Sequence, residues 1–188
     1  MPATNFKPQI DTIKYIENHI NLIDNNQFEL LYTEAGKAAI LARDITDILL
    51  ASGINPLEHM DYIPNGFARG ARRSMKGFFI PNGIEGIEGF AFGATDISAI
   101  TVPDGCKQIC RGAFSRCPEL ESIWLPASLA MIGDGVFNDS NPKLTIYYKG
   151  TCEMWHMIHK TQSWFALDEG HKCPIVCSDK ITFSNVRD

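Results

Sequence analysis

The side chains that could bind a metal or act as nucleophiles cluster after residue 150. They are Cys152, His156, His159, His171, Cys173 and Cys177. The first three are four and then three residues apart, so a helix would present them on one face. Thiolates and imidazoles are the usual ligands of structural zinc, so the set could outline a zinc site. No pair has the tight Cys-x-x-Cys spacing of a zinc knuckle, and the helix must also bury Trp155. The sequence therefore predicts neither a metal nor another cofactor.

Catalysis by one of these thiols would require a histidine base and a third group that orients it. No nucleophile motif surrounds any cysteine or serine of the chain. The glycine-rich run at residues 83–89 does not match a phosphate-binding loop. The sequence therefore predicts that the chain is not an enzyme, and a metal- or cysteine-dependent enzyme is the weakest of three interpretations.

The elements that must position any site come from a repeat. Residues 78–81, 100–103 and 123–126 are each a triplet with apolar outer residues followed by proline, and the prolines are 22 and then 23 residues apart. The same kinds of side chain recur at fixed offsets behind the prolines. These positions are Ile84, Cys106 and Leu129; Ile87, Ile109 and Ile132; Phe92, Phe114 and Phe137; and Ile97, Leu120 and Leu144. A fourth strand is expected at residues 146–148.

The repeat has a direct physical interpretation. In a strand, the outer residues of a triplet share one face and the middle residue points to the other. The proline that follows cannot donate a hydrogen bond, so it ends the strand. One unit cannot bury its apolar face alone, and a period of this length is typical of leucine-rich solenoids. The pattern therefore predicts a short solenoid of three repeats and a fourth strand.

The pattern from Ile100 to Leu120, Ile-x-Val-Pro-x-Gly-x-x-x-Ile-x-x-x-Ala-Phe-x-x-Cys-x-x-Leu, resembles the BspA type of leucine-rich repeat. This type of repeat usually has a cysteine at the position of Cys117. The units before and after have Thr95 and Ser140 at that position. The resemblance implies an adhesion or protein-interaction module without a catalytic motif. It also implies the small type found in gut bacteria and their phages, with a helical leader before the repeats.

The predicted fold is α+β, a short leucine-rich-repeat solenoid between two caps. Residues 1–66 are expected to be a helical cap, because isoleucines recur at helical spacing at residues 10, 13, 16, 20 and 23, with a short turn or helix at 55–61. Residues 67–77 form a basic connector, residues 78–150 the repeats, and residues 151–188 a C-terminal cap. That cap should contain a helix at about residues 152–160 and a β-hairpin of residues 175–177 and 181–183.

Composition limits the class of partner. The net charge of −5 argues against a general nucleic-acid binder. No apolar run approaches the ~18 residues that a membrane span requires, and the first residues lack the pattern of a signal peptide. The six cysteines are expected to be reduced, since Cys106 and Cys117 occupy core positions of the repeat. The chain is therefore predicted to be cytoplasmic, with no membrane partner.

Two sets of residues are candidates for binding a partner. The middle residues of the strand triplets are Phe79, Thr101, Trp124 and Tyr147. Exposed aromatic residues often dominate interface energetics, although a cap that folded over this column would bury it instead. The second set is the basic cluster in the connector, which consists of Arg69, Arg72, Arg73 and Lys76. This cluster either steers an acidic partner or belongs to a solvated loop.

We therefore predict a non-catalytic module that binds another protein, which is a host protein if the chain is encoded by a phage. The second interpretation is a structural or oligomeric component that assembles through its helical region, which includes a homo-oligomer. Nothing in the sequence identifies the partner.

Overall fold

The computed structural model describes residues 55–71, 75, 78–165 and 172–184. These residues form a β-solenoid of short strands with little helix. The strands are β1 (Tyr62–Ile63), β2 (Gly86–Ile87), β3 (Ala99–Thr101), β4 (Gln108–Ile109), β5 (Ser122–Leu125), β6 (Met131–Ile132), β7 (Thr145–Tyr148), β8 (His159–Lys160), β9 (Pro174–Val176) and β10 (Ile181–Phe183). A 3-10 helix spans Pro56–His59, and the α-helix, α1, spans Cys152–Met157.

The strands form two sheets, because successive turns of the chain contribute one strand to each. Sheet A has the order β1-β2-β4-β6-β8 and is parallel throughout. Sheet B has the order β10-β9-β7-β5-β3, and only β10 within it runs antiparallel. The chain passes from sheet A to sheet B through a stack of hydrogen-bonded turns at residues 66–70, 90–94, 112–116 and 135–139, which we call the turn ladder.

Each turn of the turn ladder begins and ends with a residue in the left-handed backbone region. The first residues are Gly66, Phe90, Gly112 and Gly135, with φ from 55° to 68°, and the last are Gly70, Ala94, Arg116 and Asp139, with φ from 54° to 79°. At Gly112 the need for glycine is twofold. Its φ is +63°, and an added Cβ would lie 2.5 Å from Cε1 of Phe90. In three of the four turns, a glycine is therefore the residue at which the chain enters the turn ladder.

The apolar positions of the repeat line the interior, which confirms its register. Strand pairing places the isoleucines of successive units side by side, and each is fully buried: Ile87, Ile109 and Ile132. The phenylalanines of the same units stack, with ring centroids 5.3 Å apart for the first pair and 6.0 Å apart for the second. Their planes are tilted by only 8° and 13°. The core is thus two columns of like side chains.

A column of small polar side chains accompanies the phenylalanine stack. The Cys117 thiol donates to the Phe92 carbonyl at 3.2 Å, and the Ser140 hydroxyl donates to the Phe114 carbonyl at 2.6 Å. Ser140 also accepts from the Cys117 backbone N–H at 3.3 Å. The Thr95 hydroxyl bonds the Phe92 carbonyl as well, at 2.8 Å. Cys117 and Ser140 thus bond the phenylalanine carbonyl of the preceding unit, whereas Thr95 bonds that of its own unit. All three residue types suit this position because each can donate a hydrogen bond to a buried carbonyl.

The solenoid begins earlier than the repeat pattern indicates. β1 pairs in parallel with β2, and Ile63 lies buried opposite Ile87. Phe67, which the sequence analysis assigns to the basic connector, is also fully buried, with its ring 5.9 Å from that of Phe92. The sequence pattern misses this turn because Phe67 and Ala68 reverse the order in which a small residue and a phenylalanine occur in later units.

Most of the helical region predicted for residues 1–66 lies outside the described residues. The short helix expected at residues 55–61 is the 3-10 helix, whose cap is the Asn55 side chain accepting from the Leu57 N–H at 3.2 Å. Leu57 and Met60 are buried against the first turn. After this helix, Tyr62 and Ile63, the last part of the predicted helical region, pair with β2 as a strand. The described chain therefore does not support a helical N-terminal cap.

The C-terminal segment continues both sheets instead of only covering them. Helix α1 begins after Thr151, whose hydroxyl caps it by accepting from the Met154 N–H at 3.2 Å. The helix ends at Met157, before the predicted Lys160, because His159 and Lys160 pair with β6. The predicted hairpin is present as β9 and β10, and β9 also pairs in parallel with β7. Trp155 and Ile158 are buried at this end, as expected.

The phenylalanine stack leads to a prediction about stability. Phe114→Ala should lower the free energy of unfolding by about 3–5 kcal/mol, because the cavity would lie between two stacked rings. Chemical denaturation would measure the change, with Glu119→Ala as an exposed control in the same unit, where a change within about 0.5 kcal/mol is expected. Equal unfolding midpoints for the two variants would contradict the described register.

The polar column leads to a second prediction. Ser140→Ala should destabilise the fold by about 2 kcal/mol or more, because it removes the hydroxyl that bonds both the Phe114 carbonyl and the Cys117 N–H. Ser140→Cys is the matched control and should retain most of the stability, since Cys117 makes the equivalent bond one unit earlier. Thermal melts of both variants would show this, and equal losses would mean that the hydrogen bonds contribute little.

Candidate interaction surface

Alternation along sheet B creates an outward face. In β5, Ile123 and Leu125 are buried whereas Trp124 between them is 37% exposed. The same alternation occurs in β3, where Ile100 is buried and Thr101 is exposed. The outer residues of each triplet therefore face the core and the middle residues face away from it, as the sequence predicts.

Strand register brings three of the four predicted column residues into one row. Thr101 pairs with Trp124, and Trp124 pairs with Tyr147. The Trp124 and Tyr147 rings stack, with centroids 5.1 Å apart and planes 11° apart. Phe79 is 58% exposed but belongs to no strand, so no pairing places it in the row. Among the described residues, no segment folds over Trp124 and buries it.

The row extends beyond the predicted residues. Tyr147 pairs with Val176 of β9, and Val176 pairs with Ile181 of β10, which is 60% exposed. Two residues further along β10, and therefore on the same outward side, Phe183 is 43% exposed. We call the row of Thr101, Trp124, Tyr147, Val176 and Ile181 the outer row. Its last two members were not predicted, because the hairpin was expected to lie in a separate cap, whereas β9 pairs with β7 in sheet B.

The outer row has a polar border. Beyond Tyr148, the Lys149 ammonium group contacts the Asp104 carboxylate at 2.8 Å, in a bridge that spans two repeat units. Both side chains are largely exposed. An apolar strip with charged residues at its margin is the usual arrangement of a protein interface.

Of the basic cluster, the structure describes Arg69. Arg69 lies on the turn ladder, with its guanidinium carbon 4.9 Å from the centre of the Phe90 ring. Arg72, Arg73 and Lys76 lie outside the described residues. Arg69 lines a groove of about 560 Å³ together with residues of both charges, including the exposed pair of Arg116 and Asp139 at 3.6 Å. Because positive and negative side chains both line this groove, its charge does not favour an acidic partner.

The cysteines of the chain are all free, and five of the six are buried. Burial raises the pKa of Cys106 to about 11 and that of Cys173 to about 12. Burial and the adjacent Cys152 thiol raise the pKa of Cys177 to about 12. Because the thiolate is the nucleophile, these shifts disfavour cysteine catalysis at neutral pH.

The structure separates most of the side chains that the sequence offers as possible metal ligands. Cys173 donates to the Leu144 carbonyl at 3.1 Å, and His156 and His159 are exposed. His171 lies outside the described residues. Cys152 and Cys177 do come together, and Asp179, which the sequence analysis did not consider, completes a group whose ligand atoms lie within 4.8 Å of one another.

Comparison with known proteins agrees with this geometry. No helix in the described part of the chain has the length and apolar composition needed to cross a membrane. No curated protein and no solved structure matches the chain. The family model for the BspA type leucine rich repeat region matches residues 63–155 with 6 copies. The match starts at Ile63, in the first strand of sheet A, and includes every strand from β2 to β7. The chain is therefore a BspA-type leucine-rich repeat protein.

Proposed function

We propose that the chain is a non-catalytic recognition module that binds another protein through the outward face of sheet B. The repeat family suggests a protein-interaction module. The observation that carries the proposal is a stacked aromatic pair on adjacent strands of sheet B, in which Trp124 is exposed and Tyr147 is half-buried. Tryptophan and tyrosine are among the residues that contribute most to interface energetics.

The surrounding sheet suits this role. β5 and β7 are paired on both sides, so their backbone positions are determined before a partner arrives. The rings are further held by their mutual stacking. A surface that is already ordered loses less conformational entropy on binding, which favours affinity. Apolar neighbours on either side of the hairpin, Val176 and Ile181, extend the strip that a partner could cover.

The same observations favour a protein partner over a nucleic acid. The net charge is −5, and the outer row contains no basic residue. The finer proposal, that the chain is phage-encoded and its partner is a host protein, rests on the resemblance of the repeats to those of small gut-bacterial and phage proteins. We also propose a cytoplasmic location, which the buried free thiols support.

A substitution in the outer row tests the proposal. Trp124→Ala should weaken binding by roughly 2 kcal/mol or more, about 30-fold in Kd. Folding should lose only about 1 kcal/mol, since Trp124 is partly exposed and the main loss is its stack with Tyr147. Immobilised wild-type chain would capture partners from an extract of the source cells. Purified partner and a thermal melt would then give both quantities.

The matched control is Met154→Ala, which removes a side chain of similar exposure from α1, outside sheet B. It should leave partner capture unchanged. If the Trp124→Ala variant still captures the partner and the Arg69→Ala variant does not, the binding site would be the basic cluster instead of the outer row. A wild-type oligomer that persists in Trp124→Ala would instead favour the structural interpretation.

The cytoplasmic proposal has its own test. Protein unfolded in denaturant with a chelator, and without reductant, should titrate six free thiols. In the folded protein at pH 8, Cys110 should react first, because it is half-buried whereas the other five thiols are buried and less accessible to the reagent. Burial also raises the pKa of Cys106 to about 11 and that of Cys173 to about 12. Two or more thiols missing from freshly purified protein would contradict a reducing compartment.

A further inference from the structure

We propose that Cys152, Cys177 and Asp179 form a binding site for a divalent metal ion, with Zn²⁺ as the preferred ion. The site would join the start of α1 to the turn between β9 and β10. It is separate from the outer row, so it adds a structural function to the recognition module proposed above.

Backbone hydrogen bonds hold the three residues in place. The Cys152 N–H donates to Oδ1 of Asp179 at 2.8 Å. The Cys177 N–H donates to the Lys180 carbonyl at 2.9 Å, and this hydrogen bond closes the turn between β9 and β10. The Ser178 N–H donates to the Gly150 carbonyl at 3.0 Å, which ties the turn to the segment before α1. The two segments that supply the ligands are therefore already fixed against each other.

The distances suit a small tetrahedral ion. The two sulfur atoms and a carboxylate oxygen lie within 4.8 Å of one another. Ligands of tetrahedral zinc, at about 2.3 Å for sulfur and about 2.1 Å for oxygen, are separated by roughly 3.5–3.8 Å. Shifts of about 1 Å or less in side-chain position would bring the group to that geometry. Asp179 is exposed, so a water molecule could take the fourth position.

The donor set selects the kind of ion. Two sulfur ligands favour zinc and similar ions over magnesium and calcium, which prefer oxygen ligands throughout. Asp179 can keep its bond from the Cys152 N–H through Oδ1 and present its other oxygen to the metal. The carboxylate therefore serves as a ligand without losing its structural bond.

Binding must displace two protons. The titratable and charged groups that face Cys177 are Cys152, Asp179, Lys180 and Tyr148. A thiol must lose its proton to become a metal ligand, which applies to both Cys152 and Cys177. Each thiol releases H⁺ as its sulfur bonds to the ion, and no electron is transferred. The apparent affinity should therefore rise with pH.

The function of such a site would be to close the end of the solenoid. Terminal units of repeat proteins stack on one side only and need a cap. Here the cap consists of a six-residue helix and a short hairpin. A metal that bridges them would restrain the last turn, as structural zinc does in other small domains.

Cobalt titration of the full-length chain would test the proposal. Co²⁺ should bind at one equivalent with a thiolate-to-cobalt charge-transfer absorption, which Zn²⁺ then removes, and Zn²⁺ should raise the Tm. Cys152→Ser and Cys177→Ser should abolish the absorption. Cys173→Ser is the matched control, since this buried cysteine of the same segment bonds Leu144 instead, and it should bind normally.

The Asp179→Asn variant tests the site even if the two serine variants fail to fold. It preserves both thiols and an oxygen that accepts from the Cys152 N–H, yet removes the anionic ligand. Affinity should fall by about tenfold or more, because even outer-shell changes have effects of that size. The absence of stoichiometric Co²⁺ binding would overturn the proposal. So would charge-transfer absorption that survives in the two serine variants, or a Cys152–Cys177 disulfide in the purified protein.

Discussion

The stacking of each turn's apolar side chains on those of its neighbours is the interaction on which the structure depends. Strands about 4.8 Å apart bring the same position of successive turns into contact. Like side chains then pack well, as the nearly parallel rings of Phe92 and Phe114 show. No turn could bury these groups alone, so the outermost rings of the stack also need to be covered. Other aromatic residues cover them at both ends. Phe67 and Phe78 contact Phe92 at one end, and Trp164 and Phe165 contact Phe137 at the other.

Stacking also separates the positions that maintain the fold from those that are free to differ. Every inward residue of sheet B must match the turns on either side, and Ile100, Ile123 and Ile146 do so. The outward positions experience no such constraint, since their neighbours are solvent and one another. Threonine, tryptophan and tyrosine follow in that row. The core therefore does not require the aromatic pair of Trp124 and Tyr147, and this is why we propose it as a contact surface.

The central repeats could be predicted from sequence because their period is short and their positions recur three times. The inward and outward faces of sheet B followed from strand alternation alone, as Trp124 and its neighbours show. Other features depend on pairing between distant residues. Phe67 and Ala68 hide the first turn by reversing their order, and nothing local indicates that Ile175 pairs with Ile146. Asp179 joins Cys152 only because the hairpin returns to the start of α1. Whether the outer row binds a partner was not predictable, since packing alone does not identify a partner.

The direction of β10 has a consequence for how such chains change length during evolution. Between β3 and β7, each unit of 22 or 23 residues meets units of its own kind on parallel strands. A tandem duplication there would supply new strands in the same direction to both sheets, and the ends would be unaffected. A copy placed after β10 would meet a strand that runs the opposite way. Gene duplication within this lineage should therefore enlarge the middle of the solenoid, with the final hairpin inherited as a fixed terminus.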